Sequence, residues 1–94
     1  MSITSVAILG CGNIGSAVAK GLTRSGMNTN NITLTRRKVG QLAEYQDAGY
    51  QVTDDNASAV KNSQTIILSV APGQVMDLLD DIGPHLGQNN LIIS

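Results

Sequence analysis

Short apolar runs alternate along the chain with stretches in which apolar residues recur every three or four positions. The runs predict β-strands over residues 3–9, 32–35, 50–53, 65–70 and 91–93. The recurring spacing predicts helices over residues 13–25, 37–48, from 54 or 55 to about 61, and 75–82. Gly26 and Gly49 are expected to end the first two helices, and Pro72 to start the last. Residues 28–31 are expected to form a loop.

Strands that alternate with helices through short connections predict parallel strand pairing. The fold class is therefore α/β, a doubly wound, Rossmann-like, mostly parallel sheet with helices on both faces and the strand order 3-2-1-4-5. Ligands bind such sheets at the carboxyl ends of the strands, where the strand order reverses. The loops at residues 10–15 and 69–73 are expected to meet there. In the first predicted helix, Ile14, Ala17, Val18, Gly21 and Leu22 recur at three- and four-residue steps, which is helical spacing.

A G-x-G-x-x-G string follows the first predicted strand and leads directly into the first helix. Its glycines would let the chain turn out of the strand, leave room for phosphates, and let the helix pack closely on the strand. The N–H groups at the helix start would then face an anion. Glycine is common in this chain, at 10 of 94 residues, so the flanking strand and helix carry much of the signal. The residues predicted to cradle a pyrophosphate are Gly10, Cys11, Gly12, Asn13, Ile14 and Gly15.

The end of the second strand bears on which dinucleotide binds. NAD domains place a carboxylate there, but this chain has Thr35, Arg36, Arg37 and Lys38, and no carboxylate from residue 26 to residue 43. Because a guanidinium can bind a 2′-phosphate, NADP is predicted in preference to NAD. The alternative is that the cations form a solvated first turn of the second helix, although cations there oppose the helix dipole.

Composition limits the other function classes. The chain has 94 residues with 41% hydrophobic and 14% charged residues and a net charge of −1, which indicates one globular domain over residues 1–94. Two tyrosines and a near-neutral charge argue against a nucleic-acid partner. The run at residues 3–9 is too short for a signal sequence or a membrane span, and the single cysteine fits a reducing compartment. A soluble cytoplasmic protein without a membrane partner is expected.

Four segments together resemble the pyrroline-5-carboxylate reductase family. They read G-C-G-N-I-G-S-A-V-A-K-G-L at residues 10–22, V-T-D-D-N at 52–56, S-V-A-P at 69–72 and L-I-I-S at 91–94. The resemblance covers the whole chain. It implies a domain that binds NAD(P)H in an oxidoreductase that reduces 1-pyrroline-5-carboxylate to L-proline in proline biosynthesis. The preference for NADPH over NADH is expected from the cations after the second strand.

The same resemblance assigns the remaining cofactor residues. Thr35, Arg36 and Arg37 would surround the ribose phosphate, and Asn56 would reach the adenosine side. Val70, Ala71 and Pro72 would flank the nicotinamide half. Ala71 stands where the family usually has lysine. Ser69 is expected either to bond the cofactor or to satisfy a backbone group at the strand end.

The family continues into a helical domain that dimerises and builds the substrate pocket, whereas this chain ends at Ser94. We therefore expect a homo-oligomeric parent protein and no imine reduction by the 94 residues alone. No catalytic acid or base and no metal ligands are predicted: His85 lacks partners, and Asp80 and Asp81 point to different helix faces. The alternatives are another two-domain reductase (F420-dependent NADP reductase or β-hydroxyacid dehydrogenase type), an NADP-sensing regulatory module without turnover, or a decayed fold that binds no NADPH.

Overall fold

The structure, a computed structural model, describes residues 5–10, 12–36, 38–87 and 90–93. The strands in these ranges are β1 Val6–Leu9, β2 Ile32–Thr35, β3 Gln51–Thr53, β4 Thr65–Leu68 and β5 Leu91–Ile93. The α-helices are α1 Asn13–Arg24, α2 Ala43–Asp47, α3 Asn56–Lys61 and α4 Val75–Ile82. Short 3₁₀ turns lie at Thr29–Asn31, Val39–Leu42, Pro72–Gln74 and Gly83–His85.

The five strands form one parallel sheet in the order β3-β2-β1-β4-β5. This order confirms the predicted doubly wound topology. β1 is central, and its Val6 pairs with Ile32 of β2 on one side and Thr65 of β4 on the other. The carboxyl ends of β1, β2 and β4 therefore lie side by side at one edge of the sheet.

The central strand is buried on both faces, and its side chains divide the core into two clusters. Val6 and Ile8 pack with residues of α1, β2 and the turn before α2. Ala7 and Leu9 pack with residues of α3, β4 and α4. All four side chains are at most 1% exposed. A continuous apolar run is the pattern expected for such a strand, because neither face can be polar.

The apolar residues that mark the helical spacing of α1 differ in their exposure. Ile14, Ala17 and Gly21 are exposed, whereas Gly15 and Ala19 are buried and Val18 and Leu22 are half-buried. Helical spacing predicts the helix, but it does not fix which of two overlapping faces meets the sheet. The stop signals are confirmed: Gly26 and Gly49 follow α1 and α2 with φ angles of 109° and 107°.

The second helix is shorter than predicted, because its first half is the 3₁₀ turn at Val39–Leu42 and the α-helix begins only at Ala43. A 3₁₀-helix and an α-helix have similar numbers of residues per turn, so an apolar residue such as Leu42 can face the core in either type of helix. Leu42 is buried in the structure. Arg36 and Lys38 therefore precede the turn instead of opening an α-helix. The expected conflict with the dipole of an α-helix first turn does not arise.

Smaller differences affect other boundaries. β3 begins one residue later than predicted and β4 ends two residues earlier, at Leu68. A 3₁₀ turn lies within the expected loop at 28–31, and Pro72 opens a 3₁₀ turn before α4. β5 is solvent-exposed, with Leu91, Ile92 and Ile93 at 56%, 38% and 46% exposure. In the described part of the chain, every helix falls short of the length and apolarity that crossing a bilayer requires.

Candidate functional site

A cleft of about 340 Å³ opens at the carboxyl ends of the strands, where the order reverses between β1 and β4. It is lined by residues at or just after the ends of β1, β2, β3 and β4, by one residue of the turn before α4 and by one residue of α4. These residues are Gly10, Gly12, Thr35, Arg36, Asp54, Asn56, Ser69, Val70, Gln74 and Leu78. Seven of them are residues that the sequence predicted for the cofactor site.

Gly10 lies at the centre of this edge and cannot be replaced without strain. Its φ angle is +76°, in the region that favours glycine. A Cβ at this position would collide with Cγ1 of Val70 and lie 3.2 Å from the carbonyl oxygen of Ser69. The glycine thus serves both as the predicted turn and as a point of close approach between the ends of β1 and β4. The sequence predicted only the turn.

The first turn of α1 faces the cleft through its N-cap residue, Gly12. The N–H of Ser16 makes the first intrahelical hydrogen bond, to Gly12 O at 2.9 Å, so the N–H groups of residues 13–15 precede the intrahelical ladder. A Cβ built on Gly12 would meet no described atom within 4 Å. Glycine is therefore not required at this position by packing among the described residues. The open space beside it leaves room for a ligand.

Not every residue of the predicted loop lines the cleft. Ile14 is 76% exposed and Gly15 is buried within the first turn of α1. Asn13 opens the helix, but the contacts of its side chain lie outside the described part of the structure. Cys11 and Arg37 also lie outside the described residues, so their predicted contacts remain predictions.

Thr35 is held at the end of β2 by a contact that the sequence did not predict. The side chain is 1% exposed, and its Oγ1 accepts a hydrogen bond of 3.1 Å from the N–H of Gly10. The hydroxyl therefore fixes the glycine turn from the β2 side. Arg36, the next residue, is exposed and lines the cleft. Its N–H donates to the carbonyl oxygen of Thr53 at 3.3 Å, which continues the β2–β3 ladder.

Three consecutive polar residues follow β3, and they have different contacts. Asp55 is the N-cap of α3 and accepts a hydrogen bond from the Ser58 N–H at 3.2 Å. Asn56 lines the cleft, and its buried Oδ1 has no hydrogen-bond partner among the described residues. Asp54 also lines the cleft. The sequence predicted capping by either aspartate. It missed the place of Asp54 in the cleft, although the predicted order puts β3 beside β2.

The segment after β4 also lines the cleft. Ser69 and Val70 are half-buried and line the cleft, and the N–H of Ser69 donates to Leu9 O at 2.9 Å. Ala71 is exposed and is not among the lining residues. The Pro72 backbone opens a 3₁₀ turn, while its side-chain contacts lie outside the described part. Gln74 and Leu78 line the cleft without having been predicted. Leu78 was predicted only as an apolar position of α4.

These features suit a polar, anionic ligand with hydrogen-bond donors of its own. Helix-start N–H groups and the positive end of the α1 dipole favour a negative group near Gly12. The first turn of α1 contains no acidic residue to oppose it. The Oδ1 of Asn56 is buried and has no partner among the described residues, so a ligand that donates a hydrogen bond to it would be favoured.

Comparison with known proteins gives a consistent picture. Residues 5–94 match the family described as NADP oxidoreductase, coenzyme F420-dependent. Pyrroline-5-carboxylate reductase 1 of Dictyostelium discoideum is 43% identical over 90 residues, which are 95% of this chain and 16% of that protein.

Two solved structures share the fold. A pyrroline-5-carboxylate reductase from Coxiella burnetii has a TM-score of 0.84 at 24% identity, over 93% of this chain and 33% of that chain. A pyrroline carboxylate reductase from Plasmodium falciparum with NADP bound has a TM-score of 0.79 at 19% identity, over 95% and 32%. This chain thus spans about a third of each of these structures.

Proposed function

The chain belongs to the family described as NADP oxidoreductase, coenzyme F420-dependent, and we propose that it binds NADP(H) for the reduction of 1-pyrroline-5-carboxylate to L-proline. The observation that carries this proposal is the 43% identity to a pyrroline-5-carboxylate reductase over 95% of the chain. Since the chain corresponds to 16% of that relative, the complete reaction is assigned to a longer protein that contains these residues.

The cleft suggests how the chain would hold the dinucleotide. The N–H groups of residues 13–15, with the open space at Gly12, would take the pyrophosphate. Cys11 and the backbones of Asn13, Ile14 and Gly15 belong to the same proposed cradle. Asn56 would accept a hydrogen bond from the adenosine portion through Oδ1. Ser69, Val70, Ala71 and Pro72 would flank the nicotinamide half.

The bound coenzyme would supply a hydride for the carbon of the imine. The part of the protein described here would act by positioning. The hydrogen bond from the Gly10 N–H to the Thr35 hydroxyl keeps the glycine turn in place, and Val70, in the segment after β4, lies close to that turn. Together these contacts would fix the phosphates relative to the nicotinamide half, so that the reacting face is oriented before the substrate arrives.

We propose that NADPH is preferred over NADH. Arg36 follows β2 and lines the cleft, and Arg37 follows it in the chain. A guanidinium there can donate two parallel hydrogen bonds to a 2′-phosphate. Thr35 would contribute through the position of the β2 end, because its own hydroxyl is engaged by Gly10.

Two wider expectations belong to this proposal. The longer protein would self-associate through helical sequence beyond these residues, as the family resemblance implies. As part of the same proposal it would reside in the cytoplasm, where the single cysteine of these 94 residues would stay reduced.

Calorimetric titration of the 94-residue chain with NADPH and NADH tests the binding step. We expect saturable binding of both and a lower Kd for NADPH. A folded chain that binds neither coenzyme at millimolar concentration would contradict the proposal.

The reaction is tested with the longer protein. Oxidation of NADPH is followed with 1-pyrroline-5-carboxylate and with other cyclic imines, and reduction of NADP+ is followed with β-hydroxyacids. Turnover that is fastest with 1-pyrroline-5-carboxylate supports the assignment. Turnover confined to β-hydroxyacids would favour the alternative family of two-domain dehydrogenases. The 94-residue chain alone is expected to show no imine reduction.

A further inference from the structure

The ends of β2 and β3 bring opposite charges to the same side of the cleft. The parallel register pairs Thr33 with Gln51 and Thr35 with Thr53. The next pair along the two strands is Arg36 and Asp54, and the Arg36 N–H still donates to Thr53 O at 3.3 Å. The cation expected to meet the coenzyme therefore has a carboxylate as its neighbour across the ladder.

Both side chains line the cleft, and both are exposed. Asp54 is not the residue that caps α3, because the Ser58 N–H donates to Asp55. Asp54 thus lines the same cleft as Arg36 and Asn56 without being the cap of α3, and these are the residues proposed for the adenosine side. Nothing in the capping of α3 requires an acidic residue at position 54.

We propose that Asp54 is a specificity-determining residue that weakens the discrimination between NADPH and NADH. This inference rests on the proposed function. A carboxylate at this place repels the 2′-phosphate of NADPH, which carries a charge of about −1.5 to −2 at neutral pH. The same carboxylate can accept a hydrogen bond from the 2′-hydroxyl of NADH, as acidic residues after β2 do in NAD domains. Both effects act in the same direction.

The size of the effect follows from exposure. Exposed charge pairs interact weakly and are screened by salt, and the phosphate carries more than one charge. Removal of the Asp54 charge is therefore expected to raise the ratio of the NADH Kd to the NADPH Kd by about threefold to tenfold at low ionic strength. The change is expected to shrink as salt approaches about 0.5 M, where screening is strong.

The experiment measures both dissociation constants by calorimetry for the wild-type chain and for the variants Asp54→Asn, Asp54→Glu and Asp47→Asn. Asp47 is an exposed carboxylate at the end of α2 that does not line the cleft, so Asp47→Asn controls for net charge. We expect the ratio to rise in Asp54→Asn and to stay near the wild-type value in Asp54→Glu and Asp47→Asn.

The experiment distinguishes a failure of the Asp54 proposal from a failure of the proposed function. If wild type binds both coenzymes but the ratio is unchanged or lower in Asp54→Asn, the role of Asp54 is overturned and the proposed function stands. An equal rise in Asp47→Asn, or in Asp54→Glu, would also overturn it, because the effect would not be a local charge effect. If the folded wild-type chain binds neither coenzyme, both proposals fail together.

Discussion

The hydroxyl of Thr35 accepts a hydrogen bond from the N–H of Gly10 at 3.1 Å, across 25 residues of sequence. This contact joins the end of β2 to the turn that follows β1. It uses the hydroxyl of a residue that family resemblance would assign to the ribose phosphate. The buried threonine is therefore best understood as a support for the glycine turn. The exposed Arg36 beside it lines the cleft and is the residue that we propose to contact the coenzyme.

Replacement of Thr35 by valine tests this support. Valine keeps the shape of the buried side chain but leaves the Gly10 N–H without its acceptor, so unfolding is expected to become easier by about 1–3 kcal/mol. Affinity for NADPH should fall as well, because the turn loses its anchor. Urea unfolding and calorimetry measure the two effects. Thr33→Val, on the same strand but half-buried, should change stability by less than about 0.5 kcal/mol. Equal losses in both variants would show that the hydroxyl of Thr35 has no special role.

Gly10→Ala is expected to be strongly destabilising. The positive φ costs an alanine roughly 1–2 kcal/mol, and the collision with Val70 adds about 1–3 kcal/mol of overpacking. Adding Val70→Ala should relieve the second cost but not the first. Gly21→Ala is the matched control, since Gly21 is exposed within α1 and a Cβ there meets no described atom within 4 Å. That variant should gain about 0.5–1 kcal/mol in stability. If thermal or urea unfolding shows that Gly10→Ala is more stable than Gly21→Ala, the close approach described at Gly10 is wrong.

The sheet could be predicted because its signals are local. Each strand is a short apolar run, each crossover carries helical spacing, and glycines mark the ends of α1 and α2. Right-handed crossovers, which hold for nearly all parallel sheets, limit the possible strand orders, and the glycine-rich string after the first strand favours the order 3-2-1-4-5 among them. The cofactor loops could be placed together for the same reason, because both follow central strands.

The rest depends on contacts between segments distant in sequence. The face of α1 that packs on the sheet carries Ala19, which lies in one cluster with Val6 and Ile8 of β1. Apolar spacing does not distinguish this face from the neighbouring one. The neighbourhood of Arg36 and Asp54 is set by strand register, and a shift of one residue would change it. The bond between Thr35 and Gly10 likewise joins residues that no local pattern connects.

Arg36→Ala is expected to raise the Kd for NADPH about tenfold and to leave the Kd for NADH within about twofold. The reason is that hydrogen bonds to a charged phosphate are worth more than those to a hydroxyl, although exposure of Arg36 limits the gain. Lys38→Ala controls for general electrostatics, because Lys38 is an exposed cation nearby that does not line the cleft. Adding Arg37→Ala should abolish the NADPH preference. Unchanged affinities for both coenzymes in the double variant would contradict the proposed selectivity.

Asn56 and Asp55 are neighbours with opposite expected phenotypes. The Asp55 carboxylate caps α3, so Asp55→Ala should cost about 1 kcal/mol of stability and change the Kd for NADPH by less than about twofold. The Oδ1 of Asn56 is buried without a partner among the described residues. Asn56→Ala should therefore leave the stability of the free chain unchanged or slightly higher.

The effect of Asn56→Ala should instead appear on binding. A coenzyme that donates to Oδ1 would lose one hydrogen bond, which weakens binding by about threefold to tenfold. Urea unfolding with and without NADPH separates the two effects, since a ligand that binds only the folded chain stabilises it according to its affinity. Asn56→Ala should lower the increase in unfolding free energy that NADPH causes. Asp55→Ala should lower the unfolding free energy of the free chain. If Asn56→Ala instead destabilises the free chain while binding is unaffected, its carbonyl oxygen serves the fold, and the adenosine end of the site must be sought elsewhere along the cleft.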